Sequence, residues 1–241
     1  MAGFILLLSF FTRLPVPYIE YTEEKFKRGL KYFPLVGLII GIILFLFTFS
    51  DGFMHRPVLS LIIWIIYIWI TGALHIDGFS DTIDGIFSNR DKEKMLEIMK
   101  DSRIGAFGVI GIVLLLITNI VLTSYIDLKY IFLLPIVGRT MAIFAASVSD
   151  YPRESGMGKV FMENINLKES NFGLAFLAII TSAFFGFKLV FPIIITIVIA
   201  LYLTKYISKK IGGMTGDTIG FIIEITQTIF LFSIYILRSW I

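Results

Sequence analysis

The sequence predicts an all-α, polytopic integral membrane protein of about seven transmembrane helices, opened by a short N-terminal interfacial or half-helix. Three observations carry this. Of 241 residues, 57% are apolar or aromatic and only 16% are charged, whereas a soluble domain has about 25% charged residues. Mean hydropathy is +0.88, and 24 Phe with 10 Tyr are more than one soluble core of this size hides, because a folded chain still exposes much of its surface. The apolar residues also fall in runs of 16 to 20 without two-residue alternation. In hydrocarbon every backbone polar group must be satisfied internally, so such runs are helices.

Taken in order, the apolar start from Met1 to Phe11 lacks a basic head and a small-residue cleavage site, so it does not read as a signal peptide. It is also shorter than the roughly 20 residues that cross a bilayer, hence the half-helix. Spans are expected at 32–49, 57–74, 106–125, 130–149, 172–187, 189–204 and 219–237. Only Ile126 to Lys129 separates the third from the fourth, and little more than Lys188 separates the fifth from the sixth; each pair reads as a tight hairpin. No linker or low-complexity tract interrupts the chain, which is expected to be a single membrane-embedded domain over 1–241. With no cysteine, disulfides, thiolate metal sites and cysteine nucleophiles are excluded.

The 21 Lys and Arg residues set the orientation. Five precede the first span, five lie in 75–105, three in 150–171 and three in 205–218, while the other connections and the tail hold only Arg56, Lys129, Lys188 and Arg238. Cytoplasmic segments carry the excess of basic residues. The expectation is therefore a cell-membrane protein with its N-terminus in, its C-terminus out and its longer segments in the cytoplasm. This also accounts for the basic residues without a nucleic-acid partner.

The segment after the second span reads His75-Ile-Asp-Gly-Phe-Ser-Asp-Thr-Ile-Asp-Gly85. Asp77, Asp81 and Asp84 stand at i, i+4 and i+7, which places three carboxylates on one helix face. Like charges so clustered repel unless a cation neutralises them, and hard oxygen donors favour Mg²⁺ bridged to substrate phosphates. His75 is a candidate ligand, proton acceptor or interfacial cap. Downstream, Asp101-Ser-Arg-Ile-Gly-Ala-Phe-Gly108 offers Arg103 and two glycines at a helix start, where free amides favour anions. Arg103 reads either as a phosphate contact or as the mark of a helix end.

A second constellation, Gly212-Gly-Met-Thr-Gly-Asp-Thr-Ile-Gly220, falls on the same predicted side. Thr215 offers a hydroxyl, the glycines permit an anion-binding turn, and Asp217 shares a helical face with Glu224. Arg139 and Glu224 lie inside apolar runs, where ionisable residues are expensive. They read either as a structural ion pair or, for Arg139, as a substrate-phosphate contact.

Together with Phe10-Phe-Thr-Arg-Leu-Pro-Val-Pro17 and Gly72-Ala-Leu preceding His75, these segments resemble, in the same order along most of the chain, the cobalamin synthases, the adenosylcobinamide-GDP ribazoletransferases. The resemblance implies a multi-pass, Mg²⁺-dependent enzyme that joins adenosylcobinamide-GDP to α-ribazole or its 5′-phosphate and releases GMP. It implies Mg²⁺ on Asp77, Asp81, Asp84 and Asp217, and phosphate contacts from Arg103 and Arg13. It also implies His75 or a metal-adjacent carboxylate such as Asp81 as the base. Phe221 and Gln227 depart from the family's pattern, the latter standing where a second acid is expected after Glu224. Two other readings keep the carboxylates. A CDP-alcohol phosphotransferase requires Ala-Arg four residues after the start of its Asp-Gly signature, where Asp81 and Thr82 stand. A divalent-cation transporter needs polar groups continuing to the far side. The sequence leaves a homo-oligomer open.

Overall fold

The computed structural model of the chain describes residues 1–240, the side chain of Met157 excepted. Twelve α-helices and three short 3-10 turns make up its regular structure: α1 (Ala2–Phe11), α2 (Glu23–Gly29), α3 (Phe33–Thr48), α4 (Arg56–Thr71), α5 (Leu74–Phe87), α6 (Lys92–Ile98), α7 (Ala106–Tyr125), α8 (Leu134–Ser147), α9 (Met157–Glu163), α10 (Leu167–Phe185), α11 (Val190–Ile211) and α12 (Gly216–Ile236). All seven expected spans are helical, and Met1 to Phe11 forms the short α1 as expected.

The boundaries differ where local chemistry overrides hydropathy. The second span stops at Thr71 instead of Leu74, because Gly72 and Ala73 both take left-handed backbone angles. The fifth begins earlier, at Leu167, where Asn166 and Glu169 form a capping box. The sixth runs on through Lys205, Lys209 and Lys210 until Gly212, at φ +81°, ends it. Hydropathy marks where lipid is; caps mark where helices end.

α8 is the centre of the bundle. In Leu128–Ser147, 83% of the apolar window is buried, against 28% in α7 and 22% in the run Leu167–Ile211. α3 lies directly against α8, since a Cβ on Gly37 or Gly41 would overlap the carbonyls of Pro135 or Phe132. The outer helices turn large apolar side chains outward, among them Ile65 and Trp69 of α4 and Ile110, Leu114 and Ile117 of α7, as a lipid-facing surface requires. Five helical stretches are long and apolar enough to cross a membrane, or up to six if the bent α4–α5 pair counts as one span. The 45-residue run Leu167–Ile211 counts once in that number. Leu174 and Leu177 line one groove with Ile193 and Ile197, so the chain reverses about Gly186, but α10 and α11 pack on α8 instead of closely on each other, short of the tight hairpin expected.

The connections collect at two ends. At one, Met214 N donates to Asp150 O at 2.8 Å, Ser149 meets Ser208 at 2.8 Å, and Lys210 reaches the carbonyl of Ile86. At the other, Arg56 donates to the carbonyl of Ile126, and Tyr125 packs on Tyr235. The basic-rich segments thus share one end.

Candidate functional site

The site is built where α4 gives way to α5. Gly72 (φ 63°) and Ala73 (φ 59°) turn the chain by 92°, so α5 leaves the direction of the spans and lies across the N-terminal ends of α7 and α12. Only glycine suits the first position twice over, because a Cβ there would also stand 3.0 Å from Arg13 Nε. α5 then meets α12 backbone to backbone. A Cβ on Gly78 would come within 2.8 Å of the Asp217 carbonyl, and one on Gly220 within 3.0 Å of the His75 carbonyl. This contact brings together two aspartate segments far apart in sequence.

Asp77 is exposed, Asp81 and Asp217 are half-buried and Asp84 is buried. The Asp81 carboxyl is pushed up to about 7, first by burial and then by the charges of Asp77, Asp217 and Asp84, with Arg153 opposing. The expected crowding of like charge is therefore present. Asp217 accepts from Arg153 Nη1 and from the Thr215 hydroxyl, both at 3.2 Å. Thr215 also caps α12, accepting from Thr218 N at 3.3 Å.

Asp84 faces another task. One of its oxygens accepts from Gly105 N at 2.7 Å and the other from Gly108 N at 2.8 Å, and a Cβ on either glycine would overlap the carboxylate. The amides expected to hold a substrate anion hold this side chain, which supplies the cap that α7 lacks at its own N-terminus. Among the described residues no group of three or more His, Asp or Glu side chains could hold a metal ion by itself. The four aspartates are neighbours without being a protein cage.

The expected cations are dispersed. Arg103 is exposed and paired with Asp101 through Nε at 3.0 Å and Nη2 at 2.6 Å, which holds the Asp101 carboxyl down at about 2. Arg13 is exposed beside the Gly72 turn. Arg139 differs most from expectation: it is fully buried in α8, donating to Pro135 O at 3.4 Å with its guanidinium 5.9 Å from the Tyr67 ring. Nor is an Arg139–Glu224 ion pair found among the described residues. Glu224 instead accepts from Tyr67 at 2.6 Å, and Gln227 donates to the same hydroxyl at 2.8 Å. Both sit in the bundle interior because apolar periodicity places them on the inward faces of α8 and α12.

A cavity of about 300 Å³ opens beside the carboxylates. Asp77, Asp217 and Arg153 line its polar side, and Phe11, Phe33 and Phe161 its apolar wall. Arg153, only 12% exposed, is the cation nearest the carboxylates, and sequence reasoning passed over it. The available signal was the spacing Pro152-Arg153-Glu-Ser-Gly156-Met-Gly158, whose glycines bring backbone to the cavity. His75 also lines the cavity; it is 5% exposed and neither ring nitrogen has a partner. Burial, and secondarily Arg139, lowers its pKa well below the usual histidine value.

Residues 3–235 match the family model described as cobalamin-5-phosphate synthase. The chain belongs to this family. It is 49% identical to the adenosylcobinamide-GDP ribazoletransferase of Alkaliphilus oremlandii, covering 99% of both chains. It is 36% identical to the enzyme of the same name from Fusobacterium nucleatum, covering 100% of this chain and 99% of that one. The Clostridioides difficile enzyme of that name is also 36% identical, over 98% of each chain. No solved structure matches the chain. In this cobalamin-5-phosphate synthase family member, the stretches 10–17, 72–85 and 212–220 all contribute to the cavity or to the turn beside it, and 101–108 is fastened to it through Asp84.

Proposed function

We propose that the protein transfers the cobinamide-phosphate moiety of adenosylcobinamide-GDP to α-ribazole or its 5′-phosphate, releasing GMP. The observation that carries the reading is the convergence of Asp77 and Asp217 with Arg153 at one cavity, close enough to Asp81 for their charges to act on its carboxyl, in a chain so similar to enzymes of that name. A ribazole hydroxyl oxygen attacks the cobinamide-linked phosphorus, the bond from that phosphorus to the bridging oxygen breaks, and GMP leaves with that oxygen. Positioning and neutralisation of phosphate charge supply most of the catalysis in such transfers.

The donor set fits Mg²⁺. All candidate ligands are carboxylate oxygens crowded by like charge, and Mg²⁺ commonly takes one or two carboxylates plus substrate phosphates instead of a full protein cage. Asp77 and Asp81 would hold it, joined by Asp217 when Arg153 turns to phosphate, with Asp84 keeping α7 in register. When bound, the ion neutralises the pyrophosphate and stabilises the leaving phosphate. Arg153 contacts the pyrophosphate, Thr215 orients Asp217, and Arg13 and Arg103 are left to the outer parts of the large substrate. The hydroxyl proton passes to one of these carboxylates. The distribution of Lys and Arg puts this end in the cytoplasm.

Purified protein in lipid with Mg²⁺ should form GMP from adenosylcobinamide-GDP and ribazole. A folded preparation that makes none with either ribazole form refutes the reading.

A further inference from the structure

We propose that the cavity walled by Phe11, Phe33 and Phe161 seats the bicyclic aromatic base of the ribazole nucleoside, with His75 as its polar contact. This rests on the transferase reading and adds where one substrate lies.

The wall is a continuous aromatic surface. Phe11 and Phe33 have ring centroids 4.7 Å apart, Phe33 and Phe161 5.5 Å, and Phe11 stacks on His75 at 5.9 Å with 25° between planes. The same cavity is also lined by bare backbone at Gly78, Gly158 and Gly216. Side chains there are excluded by packing, since a Cβ on Gly158 would stand 2.7 Å from Gly216 N. A space lined by phenyl rings and by glycines without side chains suits a flat ring, which gains from stacking as well as from burial.

The polar inventory selects among the rings the two substrates carry. A corrin macrocycle exceeds a cavity of about 300 Å³. Guanine has an amino group, an amide, a carbonyl and a ring nitrogen to satisfy, and burying such groups unpaired is costly. Apart from the charged end, this wall offers one unpartnered polar side chain, His75, with both nitrogens buried and free. The base of ribazole, a dimethylated benzimidazole, presents two methyl groups and a single unsubstituted ring nitrogen. That nitrogen accepts from a His75 N–H, and the methyl edge lies against phenyl. The ribose then points toward Asp77, Asp217 and Arg153, where its hydroxyl meets the phosphate.

The test is inhibition of the unmodified protein, in lipid with Mg²⁺, by free 5,6-dimethylbenzimidazole. Competition against ribazole, without competition against adenosylcobinamide-GDP, is expected. Competition against adenosylcobinamide-GDP instead, or no inhibition up to the solubility limit, overturns the assignment. In a second measurement, Phe161→Ala should raise KM for ribazole about tenfold while leaving KM for adenosylcobinamide-GDP within about twofold, with Phe161→Leu intermediate. The reverse pattern places the nucleotide or corrinoid in the cavity and overturns it as well. Absence of GMP from the unmodified protein sinks the transferase reading and this one together; normal GMP formation with the wrong inhibition pattern sinks this one alone.

Discussion

Asp84 and Asp81 lie three residues apart on one helix, and the structure gives them opposite surroundings. Asp84 satisfies two backbone amides through charge-assisted hydrogen bonds, each contributing roughly 1.5–3 kcal/mol. Asp84→Asn replaces one acceptor by a donor facing an N–H, so it should lower thermal and denaturant stability markedly. Asp81 has no hydrogen bond to lose that matches these, and its neighbours repel its charge. Asp81→Asn should abolish GMP formation while leaving the metal-free protein at least as stable as the unmodified one; a large loss of stability would contradict this division of labour. The pH dependence has a definite sign. The folded carboxyl is raised to about 7, so the folded state holds this proton more tightly than the unfolded one. Its stabilising contribution is complete below the unfolded value of about 4 and is lost as pH rises through about 7. Melting of the metal-free protein between those limits should fall with pH, and less steeply in Asp81→Asn. The aspartates themselves were legible from their i, i+4, i+7 spacing. The diversion of Asp84 was not, because the amides that claim it belong to another helix.

At the scale of elements, the crossing of α5 on α12 decides whether the carboxylates meet. It depends on Gly78 and Gly220, whose missing side chains let two backbones touch. Gly78→Ala places a methyl 2.8 Å from the Asp217 carbonyl, and such overpacking costs about 1–3 kcal/mol. The helices must separate, moving Asp77 and Asp81 away from Asp217. The Mg²⁺ concentration needed for half-maximal GMP formation should therefore rise, while far-ultraviolet circular dichroism stays unchanged. An unaltered metal requirement would show that Asp217 does not share the ion. Gly78 was visible in the sequence as part of an Asp-Gly step, yet its partner at Gly220 lies in a different segment, and nothing local to either announces the contact.

For the whole molecule, the two ends of the bundle differ in charge as well as in shape. The segments holding most of the Lys and Arg meet at the end that carries the cavity. The chain has no cysteine, so a single introduced one reports unambiguously. Cysteine at Ser88, after α5, should be labelled only from the cytoplasmic side of intact cells, and cysteine at Ser239, after α12, only from outside. Labelling of both from outside would reverse or break the proposed orientation.

By itself the sequence determined that the chain is helical and apolar, where its helices run, and which aspartates stand on one helix face. These follow from hydropathy, spacing and caps, which act within a turn or two of one helix. Tertiary structure alone decided that Asp84 is tied to α7, that Arg153 stands beside Asp217, that Arg139 is enclosed in the bundle and that phenyl rings from α1, α3 and α9 wall one cavity. Each of these depends on which helices touch, and packing between distant segments leaves no periodic trace in either of them.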